Sequence, residues 1–353
     1  MTLRISDDGT SRSMPAASVH DLGLPEVSFT VAAGECLAVL GRSGSGKSSL
    51  LRTLAGLHPA EFGRIHVNGR DVSALRAEQR GIVYLHQEPV LFPHLSVLQN
   101  VAFPMRIRGV PARDAERRAF EMLVRLQVGT VGGNRPDALS GGQRHRVALA
   151  RALCADPAVL LLDEPLASLD PAVRRDVREA LLAVREVSRA AMLLVTHDLD
   201  DAMSIATQVT TITDQQQLTP PMTPAALLQS PPMLQTARLL GVFSEIRGVV
   251  THETALQFTW IGGRLAAPGL DAGDAVACVR SHEVDLRPGD VPGALDASVL
   301  TVTRRRDAAH EVLLELHDAA GAPVTLRVAS DSLVQAGDRV QVQVRHARIF
   351  AAD

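Results

Sequence analysis

The octapeptide Gly41-Arg42-Ser43-Gly44-Ser45-Gly46-Lys47-Ser48 lies between an apolar run, Leu37–Leu40, and a segment with Leu50, Leu54 and Leu57 at helical spacing. So short an apolar run, ending at a glycine-rich turn, reads as a buried strand, and the glycines let the chain turn sharply from it into a helix, Ser48–Leu57. Consecutive backbone N–H groups in such a turn converge on one point, and the helix N-terminus adds partial positive charge there. The spacing GxxxxGK[ST] therefore predicts a phosphate cradle made by Gly41, Arg42, Ser43, Gly44, Ser45, Gly46, Lys47, Ser48 and the adjoining Ser49. Lys47 reaches the β- and γ-phosphates of a nucleotide such as ATP, and the Ser48 hydroxyl is placed for Mg2+. By itself this loop implies a nucleotide triphosphate site and nothing narrower.

Further along, Val159–Leu162 and Met192–Val195 read as two more buried strands. An amphipathic helix lies between them, with Val173, Val177, Ala180, Leu181 and Val184 inward and Arg174, Arg175 and Arg178 outside. Asp163 and Glu164 follow the first of these strands, where carboxylates point into the ligand crevice of an open α/β sheet. Asp163 suits a Mg2+ site through water, and Glu164 is placed to polarise an attacking water as a catalytic residue. A helix-capping acid would be the plainer reading of this pair; the upstream loop argues against it. The fold expected is an α/β P-loop NTPase.

A second region follows. The chain has 353 residues, enough for about two domains, and Pro220, Pro221, Pro224, Pro231 and Pro232 mark a break. Beyond it the apolar period becomes two, as in Val312/Leu314/Leu316, Val324/Leu326/Val328 and Val340/Val342/Val344. The turn pairs Gly262-Gly263, Gly273-Asp274 and Gly337-Asp338 are expected to separate these runs in a small all-β barrel or sandwich. The boundaries expected are 1–235 and 236–353. Net charge is −3, so no basic field points to nucleic acid, and Arg304-Arg305-Arg306 reads as a solvated strand edge. Cys36, Cys154 and Cys278 are far apart, which suits a reducing cytosol. With neither a leader peptide nor an apolar stretch of membrane-spanning length, a soluble chain is expected, acting at a membrane only through a partner.

The segment Leu139-Ser140-Gly141-Gly142-Gln143 with Arg144–Leu153 is a second glycine-rich turn opening a helix, hence a second anion site. One nucleotide does not need two cradles from one chain, but two facing chains would use them. Here the sequence resembles the ATP-binding cassette (ABC) family, over roughly residues 20 to 235. The resemblance implies that Ser140, Gly141, Gly142 and Gln143 contact ATP held by a second copy in a head-to-tail homodimer. It also implies a Q-loop glutamine at Gln87, after the apolar Ile82–Leu85 run, contacting metal and water. Ser168-Leu169-Asp170 matches the D-loop that crosses the dimer interface, and His197 matches the switch histidine on the γ-phosphate. The family's adenine-stacking aromatic has no counterpart in Pro15–Asp21, where Ser18 and His20 stand nearest.

Pro89–Val97 with Asn100–Phe103 looks like the segment of importer ATPases that receives a permease, within a helical subdomain at about 88–155. The β-rich tail resembles the OB-like (TOBE-type) accessory domain of that group. Val279–Val284 and Ala347–Phe350 look most like the sulfate/thiosulfate importers, then the iron(III) and polyamine ones. The resemblance thus implies an ATPase motor on the cytoplasmic face of the inner membrane, bound to integral-membrane permease subunits and indirectly served by a solute-binding protein. A soluble ABC ATPase without a permease, and a non-hydrolysing regulatory cassette, stay open as alternatives.

Overall fold

The described strands of the first part are β1 (Thr2–Ser6), β2 (Phe29–Ala32), β3 (Cys36–Leu40), β4 (Arg64–Val67), β5 (Arg70–Asp71), β6 (Ile82–Leu85), β7 (Val159–Asp163), β8 (Ala191–Thr196) and β9 (Gln208–Thr211). They belong to a computed structural model that describes residues 2–6, 29–59, 64–167, 169–252, 256–260, 263–267, 270–287, 295–304, 310–317, 323–330 and 338–352. The chain divides into two compact units, Met1–Leu227 and Leu228–Asp353.

Five strands form a parallel sheet in the order β6-β7-β8-β3-β9. Every residue of β3, β7 and β8 is buried, as apolar strands covered on both faces require. On one face Leu37, Val39, Leu161, Leu193 and Val195 share a core with Leu50, Leu51 and Leu54 of helix α1 (Lys47–Ala55). A smaller antiparallel sheet, β2-β1-β4-β5, adds Phe29, Val31, Ile65 and Val67 to that core. Helices α2 (Val97–Ile107), α3 (Ala112–Arg125) and α4 (Gly141–Cys154) pack together, followed by α5 (Pro171–Val187) and α6 (Leu199–Ile205).

Two expectations change here. Leu57 was expected on the buried face of the first helix, but Gly56 ends α1 in the left-handed region at φ 80°, and Leu57 is 52% exposed. A side chain at position 56 would also run into the Arg80 guanidinium, whose Nε lies 2.6 Å from the place of a Cβ. Arg174 and Arg178 were expected outside, but both turn to Asp201 of α6, and only Arg175 of the three is exposed.

Helix α7 (Pro224–Gln229) spans the division, and α8 (Leu234–Leu240) packs Leu234 and Ala237 on Val276 and Cys278. The strands that follow are β10 (Phe243–His252), β11 (Leu256–Trp260), β12 (Gly263–Ala266), β13 (Gly273–Arg280), β14 (Val284–Arg287), β15 (Leu295–Arg304), β16 (His310–His317), β17 (Pro323–Ser330), β18 (Arg339–Val344) and β19 (Arg348–Ala351). They make two antiparallel sheets, β12-β11-β10-β13-β19 and β14-β18-β15-β16-β17. Ile246, Ala277 and Val279 from one sheet and Val312, Leu314, Leu326 and Val342 from the other close a single core, giving an all-β, OB-like body. Gly273-Asp274, expected as a turn, instead opens β13. Gly262, Gly337, Arg305 and Arg306 lie outside the described residues.

The two motifs of this region that carried the family resemblance meet at one carboxylate. Glu283, buried between β13 and β14, accepts from the Arg280 backbone N–H at 2.8 Å and from Arg348 Nη1 at 2.5 and 2.6 Å. Burial alone would raise its pKa, but the Arg348 bonds, the Arg280 N–H and both guanidinium charges together hold it below the ordinary carboxylate value. A depressed folded-state pKa gives stability that is present above the unfolded value, about 4.3, and is lost as pH falls through the folded value. Glu283→Gln is therefore expected to lower stability by about 2–3 kcal/mol at neutral pH. In urea melts of the full chain, the gap between variant and parent should shrink below about pH 4.

Candidate nucleotide site and family

Strand order decides which side chains meet. Strand β8 lies between β3 and β7, with Thr196 opposite Leu40 and Val195 opposite Asp163. The loops after these three strands therefore emerge side by side at the C-terminal edge, where open α/β sheets bind ligands. They carry Gly41–Ser48, Glu164 and His197.

In the first loop, Gly44 and Gly46 stand at φ 83° and 92°, a conformation that favours glycine. Gly41 lies so close to its surroundings that a Cβ there would be 2.3 Å from Ile212 Cγ2. The Lys47 ammonium, 4% exposed, curls over the loop and donates to the Gly41 and Arg42 carbonyls at 2.9 and 2.7 Å. It also sits 3.8 Å from Glu164 Oε1. Burial pulls the Lys47 pKa below its usual value, with Glu164 and Asp163 opposing that shift. Ser45 Oγ is buried and unpartnered among the described residues, a donor suited to a phosphate oxygen. Ser49 follows in the first turn of α1.

The next strand supplies the acids. Ser48 Oγ donates to Asp163 Oδ1 at 2.8 Å, and the Tyr84 hydroxyl donates to Asp163 Oδ2 at 2.5 Å. Burial first, and that bond second, push the Tyr84 phenol up to about 12, so it is a donor at any ordinary pH. Glu164 stands at φ 45° with its N–H on the Val195 carbonyl at 3.0 Å. Left-handed backbone at a non-glycine residue costs about 1–3 kcal/mol, and here it accompanies a carboxylate facing both Lys47 and His197. His197 Nδ1 lies 3.0 Å from Glu164 Oε2. Ser48 Oγ and the Asp163 carboxylate offer oxygen donors that fit Mg2+, and the loop beside them, with the Lys47 ammonium, suits a triphosphate.

The other expected residues lie in different places. Ser140 caps α4, its Oγ accepting from Gln143 N at 3.3 Å while Gln143 Oε1 accepts from Ser140 N at 3.0 Å. Gly142 is needed for packing as well as for any anion, since a Cβ there would stand 2.4 Å from Val173 Cγ1. Gly141 faces open space. Asp170 caps α5 through the Ala172 and Val173 amides, both at 3.1 Å. Gln87 is exposed, and its carbonyl meets His145 Nε2 at 3.1 Å. Ser168, Ser18 and His20 lie outside the described residues.

The importer-like segment is held from behind. Buried Asn100 accepts from Phe92 N at 2.8 Å and donates to the Phe92, Leu95 and Ser96 carbonyls at 3.1, 3.3 and 3.0 Å. Arg151 bonds the Val90 carbonyl at 2.6 Å and lies over the Phe92 ring, while Val90 itself is 73% exposed. Sequence reading missed Tyr84, which looked like one more member of an apolar run. A lone hydroxyl in a strand neighbouring the acidic one was the available signal.

Residues 24–167 match the ABC transporter family. The chain is 36% identical over 337 residues to the sulfate/thiosulfate import ATP-binding protein CysA of Xanthomonas campestris pv. campestris, covering 93% of this chain and 95% of the relative. It is 34% identical over 327 residues to CysA 2 of Agrobacterium fabrum, covering 92% and 94%. The Fe(3+) ions import ATP-binding protein FbpC 1 of Rhizobium meliloti is 35% identical over 269 residues, covering 75% and 76%. A phosphate loop, a paired acid and a strand-end histidine that meet at one sheet edge, with such likeness over nearly the full length, have one explanation: the chain belongs to the ABC transporter family, among its import ATP-binding subunits.

Proposed function

We propose that two copies of this chain clamp two MgATP molecules head-to-tail, and that closure and hydrolysis drive uptake of sulfate or thiosulfate through a membrane permease. The observation that carries the catalytic part is the convergence of Lys47, Asp163, Glu164 and His197 at the ends of three adjacent strands. The solute rests on the names of the relatives. A relative named for iron(III) keeps that cation as the second reading.

In this reading Gly41–Ser48 and Ser49 bind the phosphates, and Lys47 compensates charge at the β- and γ-positions. Bound Mg2+, held by Ser48, Asp163 and Gln87, would supply further charge neutralisation at the phosphate oxygens. Glu164 accepts the proton of the attacking water, with His197 holding both the carboxylate and the γ-phosphate in place. Ser140, Gly141, Gly142 and Gln143, with Asp170, serve the nucleotide of the other copy. Val90 and its neighbours present the face for the permease, so the chain works peripherally at the inner membrane's cytoplasmic face. Among the described residues no helix is long and apolar enough to cross a membrane, which leaves spanning to the permease subunits. Nucleic acid has no part in it, and a solute-binding protein delivers the cargo.

Tyr84 enters this scheme by fixing the second oxygen of Asp163. Tyr84→Phe is expected to raise the Mg2+ concentration for half-maximal turnover about tenfold, as loss of a group orienting a metal ligand commonly does. Titration with Mn2+ followed by electron spin resonance reads the same change without turnover. The proposed function as a whole is tested by reconstituting the chain with its permease and measuring ATP turnover with sulfate, thiosulfate or iron(III) and the cognate binding protein. Stimulation by sulfate or thiosulfate supports the reading, stimulation by iron(III) alone replaces the solute, and failure to associate with any permease overturns it.

A further inference from the structure

We propose that His145 is a positioning residue that clasps the Gln87 segment to the first turn of α4, so that the two move as one piece. The inference rests on the reading above only for what that movement does; the clasp itself stands on geometry. His145 Nε2 is 3.1 Å from the Gln87 carbonyl, and Nδ1 is 3.0 Å from the Gly141 carbonyl one turn back in its own helix. A carbonyl can only accept, so the neutral ring, with one N–H, can bond only one of these two carbonyls at a time; the clasp on Gln87 is the tautomer that carries its N–H at Nε2. That bond joins residues 58 positions apart.

Apart from Asn100, which holds Phe92 at the far end, this stretch is steadied mainly by α4. Residues 86–92 have no helix or strand, and Gln87 and Glu88 are exposed. The same helix grips it again further on, where Arg151 bonds the Val90 carbonyl at 2.6 Å and lies over the Phe92 ring. Helix α4 thus holds the segment by backbone carbonyls at two points, Gln87 and Val90, whatever the side chains there do. Its other end is β6, which pairs with β7 and so adjoins the strand of Asp163.

The consequence is a mechanical link between two nucleotides. Gln87 belongs to the pocket of its own copy, and Ser140–Gln143 face the nucleotide of the other. A displacement of Gln87 carries the opening turn of α4 with it through His145, and the reverse holds as well. Coupling needs a physical connection that both sites bias, and this ring supplies one.

The test compares His145→Leu, which fills the space without a donor, with His145→Gln, whose amide N–H reaches about as far as Nε2. Hydrogen exchange on the full chain without nucleotide reads the clasp directly. In the Leu variant the amides between 86 and 92 are expected to exchange about fivefold faster, the loss of one modest hydrogen bond, with β7 and β8 unchanged. The Gln variant should restore the parent rate. In ATP turnover, the Leu variant should lose about fivefold in kcat while half-saturating ATP moves by less than about twofold, with Gln again restoring it. Unchanged exchange in the Leu variant, or equal damage from Leu and Gln, overturns the clasp. Should the parent chain neither bind nor hydrolyse MgATP, the functional reading falls, and the exchange comparison still decides the clasp by itself.

Discussion

Glu164→Gln is expected to bind MgATP at least as tightly as the parent chain and to lose about two to four orders of magnitude in turnover, the usual share of a positioned general base. The amide keeps the shape of the carboxylate but cannot take a proton. Its position is set by backbone rather than by neighbours alone: a φ of 45° and an N–H fixed to the Val195 carbonyl aim the side chain before either Lys47 or His197 touches it. The Lys47 ammonium has two carbonyls of its own, at 2.9 and 2.7 Å, so neutralising Glu164 does not leave it without partners. Binding should therefore survive while chemistry fails. Stopped-flow nucleotide binding alongside a phosphate-release assay separates the two, and turnover within about threefold of the parent would remove Glu164 from the catalytic role.

Asp201→Ala should cost the first unit about 2–4 kcal/mol of stability. The carboxylate is 1% exposed and takes Arg174 Nη2 and Arg178 Nη2, each at 2.5 Å. Removing it strands two guanidiniums; they keep 28% and 27% of their surface in water, which holds the cost below that of a fully buried triad. Arg174 also reaches Asp198 at 2.7 Å, and Asp198 in turn caps α6 on the Asp201 N–H at 3.0 Å. Burial works against the Asp198 charge, but that N–H and Arg174 hold its pKa below the ordinary value. His197 directly precedes this cap, so loosening it should also reduce turnover. Urea denaturation at neutral pH reads the first effect, and a midpoint shift equivalent to less than about 0.5 kcal/mol would contradict it.

Much of this was legible in the sequence, for identifiable reasons. Apolar runs only four residues long, each stopped by a glycine or a polar residue, read as covered strands, so β3, β7 and β8 were found to within a residue at each end. Glycines at 44 and 46 announced a backbone that turns left-handed, and the acid and histidine at strand ends fall at the same edge because parallel strands all point one way. What stayed hidden were partners that periodicity does not specify. Spacing placed Arg174 and Arg178 away from the apolar stripe of α5 but could not show that α6 lays Asp201 beneath them. Tyr84 looked apolar because its ring is; its hydroxyl matters only once β6 lies beside β7. His145 bonds a backbone carbonyl, which no residue type at position 87 would reveal. Gly142 looked like part of an anion cradle alone, and its contact with Val173 required knowing how close α4 and α5 come.

The central claim is that each copy completes the other's nucleotide site. It is tested most directly by cysteines placed at Ser140 and Ser43 in separate Glu164→Gln chains in which Cys154, the one half-buried native thiol, is replaced. A short bifunctional cross-linker should join the two kinds of chain in the presence of MgATP and not in its absence. Linkage that ignores nucleotide, or no linkage while MgATP is bound, would contradict the account.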